Sequence, residues 1–130
     1  MKNSVKKLLA LFVISTGALS LSAMAQPTVP FDSVSYTYTE GAFAGAQYKL
    51  TFPNGKVKWE GLAGEEKGLS AVEEISDIVD LGDNRYLVTW HESNGLTITA
   101  VLNSENRTIN AVASTAEDHF VVSGKIDSLK

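Results

Sequence analysis

The chain has 130 residues, 15 acidic and 11 basic side chains, a net charge of −4 and no cysteine. An acidic balance of this kind argues against nucleic acid or anionic lipid as partners, since both need a positive footprint. Without cysteine there is neither a disulfide framework nor a thiol nucleophile, and stability must come from packing.

The first segment reads as an export signal rather than as part of a fold. Lys2, Lys6 and Lys7 precede an apolar run from Leu8 to Leu21, and Ala23-Met24-Ala25 offers small residues at the two positions a signal peptidase reads. Cleavage is expected after Ala25, giving a signal peptide over 1–25 and a single domain over 26–130. The apolar run is short for a membrane span, and a lipoprotein anchor would need a cysteine at the cleavage point. A periplasmic or secreted product with no membrane attachment is the expectation, more acidic still once three lysines are lost. Roughly 100 residues suffice for one hydrophobic core.

Gln26–Pro30 is a lead-in whose two prolines oppose helix. From Phe31 to Glu40 the residues alternate, with Val34, Tyr36 and Tyr38 on one face against Ser33, Ser35 and Thr37. Gly41–Gly45 is a turn of mostly small residues. Gln47–Phe52 alternates again, with Tyr48, Leu50 and Phe52 sharing a side, and Pro53-Asn54-Gly55 turns the chain. Lys56–Glu60 sets Val57 and Trp59 against three charged residues. Gly61–Gly68 is rich in glycine and charge, as an exposed loop would be.

Leu69–Leu81 is ambiguous. Its apolar residues fit a helical stripe through Ala71, Val72, Ile75 and Val79, yet Ile75–Leu81 also fits a strand, and strand is preferred for that second half. After a turn at Gly82-Asp83-Asn84, the stretch Arg85–Leu102 reads as a hairpin. Its arms carry Tyr86, Val88, Trp90 and Glu92 on one face and Leu96, Ile98, Ala100 and Leu102 on one face. Asn94-Gly95 joins them, both residues being tolerant of positive φ. Arg107–Ser114 and His119–Ile126 complete the series, each closed by a polar turn. About eight short strands at regular spacing point to a sandwich or an antiparallel barrel. Hairpin-length connections and one apolar face per strand favour an eight-stranded, up-and-down, calycin-like (lipocalin-like) barrel. A barrel of that size is filled by side chains or holds one small ligand.

The face predicted to point inward carries Tyr36, Tyr38, Tyr48, Phe52, Trp59, Tyr86, Trp90 and Glu92. Large aromatics suit a plain core, but phenols and a carboxylate need partners when buried. Tyr36 and Tyr38, two residues apart, can address one polar group, either Glu92 or a ligand. A poorly solvated Glu92 would have a raised pKa and could act as a hydrogen-bond donor or in acid–base chemistry. Set beside the Asn-Gly turn, it could equally reach water. His91 should face away from Glu92, and the two histidines, His91 and His119, form no zinc spacing. No Gly-x-Ser-x-Gly elbow or phosphate-loop spacing occurs. Glu65, Glu66, Glu73 and Glu74 read as a solvated acidic surface.

Tyr36-Thr37-Tyr38 and the run Tyr86-Leu87-Val88-Thr89-Trp90-His91-Glu92 followed by Gly95 resemble the small calycin-type barrels that include MoaF-like domains and the phenolic acid decarboxylases. The resemblance covers most of Phe31–Ser114. It implies a barrel interior in which Tyr36, Tyr38 and Glu92 receive a small aromatic or carboxylate-bearing molecule, without cofactor or metal. In the decarboxylases an acid directly follows the Tyr-Thr-Tyr; here Thr39 does, and Glu40 comes one place later. Their inward arginine falls at Leu69 on a gapless count, with Lys67 nearby, and their C-terminal extension has no counterpart.

The reading that follows is an exported binding barrel, monomeric or weakly dimeric. Tyr36, Tyr38 and Glu92 would supply polar contacts to its small-molecule ligand, and Trp59 and Trp90 apolar walls. The alternatives are a cofactor-free lyase acting on a phenolic acid, with Glu92 in its site, and a structural or partner-binding module.

Overall fold

A computed structural model describes residues 28–130; the expected signal segment lies outside the described residues. Eight strands follow one another: β1 (Ser33–Gly41), β2 (Gln47–Thr51), β3 (Lys56–Ala63), β4 (Ser70–Gly82), β5 (Arg85–His91), β6 (Thr97–Asn103), β7 (Thr108–Ser114) and β8 (His119–Leu129). Each pairs antiparallel with its successor, and β8 returns to β1 to close the barrel. The expected up-and-down barrel is what forms. Closure removes the free strand edges that an open sheet of this size would expose.

Alternation along the strands decides which side chains enter the barrel. Val34, Leu50, Val57, Val88, Leu102 and Ile109 are fully buried and fill its middle. Large and small residues are distributed unevenly around the wall. Strands β6 and β7 contribute Ala100, Ala111 and Ala113, while β1, β2, β3 and β5 carry all four tyrosines and both tryptophans. Small residues on one wall leave room for the rings of the other.

The ambiguous stretch is strand from Ser70 onward, and its deceptive spacing has a specific cause. Pairing of β4 with β5 shifts register between Ile75 and Asp77. The extra residue of such a bulge resets the inward parity, so Ile75 and Ile78, three apart, both turn toward the core, Ile78 buried and Ile75 packed against it. A three-residue step between apolar positions imitates a helix. Asp77 steadies the irregularity by accepting a hydrogen bond from the Ile78 amide at 2.9 Å.

The hairpin turns also differ in detail from the sequence reading. At Asn94-Gly95 only Gly95 adopts a positive φ, of 96°. The turn is longer than two residues, closed by Glu92 N–H to Leu96 C=O at 2.7 Å and by Gly95 N–H to Glu92 C=O at 3.0 Å. Consecutive positive-φ residues occur instead at Gly82, Asp83 and Asn84, between β4 and β5, and Asp83 and Asn84 supply the pair that a tight primed turn requires.

Candidate functional site

Four loops lie at one end of the barrel, and three of them, joining β1 to β2, β3 to β4 and β5 to β6, bound the site. Just inside them lies a hollow of about 50 Å³. That is space for a few waters or one small polar head. Five of its ring walls come from strands: Tyr36 and Tyr38 of β1, Tyr48 of β2, Trp59 of β3 and Trp90 of β5. Phe43 leans in from the first loop, and Glu66, Glu92 and Leu96 come from the other two. All five residues that the sequence put forward, Tyr36, Tyr38, Trp59, Trp90 and Glu92, are therefore in one place.

The rings pack edge-on. Tyr36 and Tyr38 meet at 5.1 Å between centroids, Tyr38 and Tyr48 at 6.0 Å, and Tyr48 and Trp59 at 6.2 Å, each pair steeply inclined. Such T-shaped contacts set the positive edge of one ring against the negative face of another. Tyr36 is 3% exposed and Tyr38 is 4% exposed. Burial pushes both phenols above their ordinary value of 10, Tyr38 to about 12. Each also acts on the other, Tyr38 raising Tyr36 and Tyr36 lowering Tyr38. Among the described residues, neither hydroxyl is bonded to Glu92, whose carboxylate accepts from Trp90 and Asn94 instead.

Glu92 sits half-buried just past the end of β5. Its Oε2 accepts from the Trp90 indole N–H at 3.1 Å and its Oε1 from the Asn94 side-chain amide at 3.2 Å. Burial drives its carboxyl above the ordinary value, the two hydrogen bonds pull it back, and the charges of Glu73 and Glu66 push it further up. His91 points the other way, with Nδ1 2.6 Å from Thr97 Oγ1 on the outer surface.

Two carboxylates taken from sequence as solvated are instead held by ring-wall side chains, and one of them, Glu66, lines the hollow. Glu66 accepts a hydrogen bond from the Tyr48 hydroxyl at 2.7 Å. Burial, reinforced by this bond, raises the Tyr48 phenol far above 10. Glu73 is only 9% exposed, and its Oε2 takes the Trp59 indole N–H at 3.4 Å. Only Glu65 and Glu74 of that group are exposed. For Glu73 the available signal was its place between Ala71 and Ile75 in a strand of alternating parity. For Glu66 it was Gly61. A Cβ on Gly61 would collide with the Glu66 carbonyl, so the missing side chain lets the β3–β4 loop fold back over the hollow. Backbone bonds from Gly61 N–H to Leu69 C=O and from Gly68 N–H to Gly61 C=O fasten it there.

Among the described residues, no lysine or arginine lines the hollow. Leu69 is 54% exposed, and Lys67 is exposed as well, so neither takes the place of the decarboxylases' inward arginine. Nor does any group of three or more potential metal ligands come together among the described residues.

Fold and site together define a closed eight-stranded antiparallel barrel with an aromatic and acidic hollow at one mouth. The chain belongs to the MoaF-like family, whose model matches residues 32–127. Among solved structures it is similar to a chain from Burkholderia vietnamiensis provisionally described as a beta-lactamase, with a TM-score of 0.68 at 13% identity. The match covers 82% of this chain and all of the other, and it attests the shared fold. No curated protein matches the sequence.

Proposed function

We propose that this protein binds a small, partly aromatic molecule at the open end of its barrel. The observation that carries this reading is a hollow walled by edge-packed rings that do not fill it, beneath a vestibule of about 460 Å³ between the first two loops. Hollow and vestibule share Phe43, Tyr48, Glu66 and Leu96, so a head can lie inside while the body of the ligand rests at the mouth. Concave, mostly apolar sites with a few polar groups are the usual form of small-molecule pockets.

Of the two ligand types expected from sequence, the aromatic one is retained. A carboxylate-bearing head would meet Glu66 and Glu92 with no lining cation to receive it. The lyase alternative has the same difficulty, because it needs a fixed cation to orient the substrate acid. A purely structural module would have no use for an unfilled, ring-lined end. In this reading the protein acts in the periplasm or outside the cell after losing residues 1–25, as a monomer or weak dimer.

Both tryptophans of the chain line the hollow, so their emission is a built-in reporter. Titration of the purified protein with a panel of small aromatic molecules should give a saturable change in that emission for at least one member. A panel of cationic, neutral and anionic aromatics that left the emission unchanged throughout would overturn the proposal.

A further inference from the structure

The charge balance of the hollow narrows the ligand class. Glu66 of the β3–β4 loop and Glu92 of the β5–β6 turn both line the hollow, and Glu73 of β4 is near enough to act on Glu92 electrostatically. Among the described residues, none of the three is ion-paired; the pairs present are Lys56–Glu74 and Lys58–Glu60, involving other acids. Glu66 and Glu92 face the hollow with no lysine or arginine among its lining residues, so a positive head finds carboxylates there and no competing cation.

The walls point the same way. Tyr38, Tyr48, Trp59 and Trp90 present aromatic surface to the hollow, and ring faces attract a cation through their quadrupole. Their polar edges are largely committed. Both indole N–H groups are given to Glu73 and Glu92, and the Tyr48 hydroxyl to Glu66. A bare metal ion does not fit, since the carboxylates do not converge as a ligand set. An organic cation is large enough to touch rings and carboxylates at once.

Resting on the ligand-binding reading above, we propose that the occupant is a small organic ammonium compound. Its positive head lies in the ring-lined hollow beside Glu66 and Glu92, and its apolar body lies in the vestibule.

The test compares three molecules that share a benzyl group and differ in the charge of the head: benzyltrimethylammonium, benzyl alcohol and phenylacetate. The cation should bind about tenfold or more tighter than the alcohol, and phenylacetate more weakly than either. Glu92→Gln should weaken the cation about tenfold and leave the alcohol unchanged. Glu66→Gln, on a surface loop, repeats the test should Glu92→Gln fail to fold. Equal or tighter binding of the alcohol or of phenylacetate, or carboxamide variants that bind the cation as well as the parent, would overturn this inference and leave the ligand site standing. No binding of any aromatic in the wider panel would remove both.

Discussion

The Trp90 indole donates to Glu92 Oε2 at 3.1 Å, joining two side chains that lie two residues apart on one face of a hairpin. Because Trp90 is 2% exposed and cannot shift, this bond fixes the carboxylate at the rim of the hollow. Strand parity brings the two together, and the turn at Gly95 keeps the pair at the mouth.

A pH signature follows from the environment of Glu92. Burial raises its carboxyl above the ordinary 4.5, hydrogen bonds from Trp90 and Asn94 oppose the rise, and Glu73 and Glu66 add to it. Tyr36, Tyr38 and Tyr48 are the other titratable groups around the hollow. The folded protein therefore holds the Glu92 proton more tightly than the unfolded chain does. That stabilisation is complete below 4.5 and is lost as pH rises through the higher folded value. Glu92→Gln should be free of this decline. In urea denaturation it should gain on the parent as pH rises above 4.5, by on the order of 1 kcal/mol or less given its partial exposure.

The phenols give a second signature at the alkaline end. Tyr36, Tyr38 and Tyr48 are all raised above 10, chiefly by burial. Folding stability linked to them is full below pH 10 and lost as pH climbs beyond it. Ultraviolet titration should find these three un-ionised well past pH 10, with ionisation and unfolding arriving together. Tyr38→Phe should remove a step near 12. Tyr48→Phe should break the bond to Glu66 and cost about 1–3 kcal/mol, as hydrogen bonds to charged groups do.

Gly61 offers a structural test. Gly61→Ala places a methyl group against the Glu66 carbonyl, so the β3–β4 loop must move or the strand must yield. The cost should be about 1–3 kcal/mol, typical of forced overpacking, read from chemical denaturation. Ligand affinity should fall as well, because Glu66 leaves the rim. A Gly61→Ala protein of parental stability, with the loop unmoved in its crystal structure, would contradict this placement.

Much of the barrel could be read from period-two alternation, since each strand has one face toward a shared interior and slippage would turn that face out. Tyr36, Tyr38, Trp59, Trp90 and Glu92 were found by that parity. Glu66 escaped it because a loop has no parity, and its position depends on the absent side chain of Gly61 near the end of β3. Glu73 escaped because the bulge before Asp77 disguised β4 as helix. The clustering of three carboxylates without a cation depends on pairing across the barrel, which no single segment encodes.

The most direct test of the hollow as a ligand site is nitrogen-edited NMR of the purified protein with benzyltrimethylammonium added. The chain has two indole N–H groups, those of Trp59 and Trp90, each given to a carboxylate. Both signals should shift saturably, together with the amides around Phe43, Glu66 and Glu92. Shifts confined to the opposite end, around Phe31 and Phe52, or unmoved indole signals under saturating cation, would contradict the account.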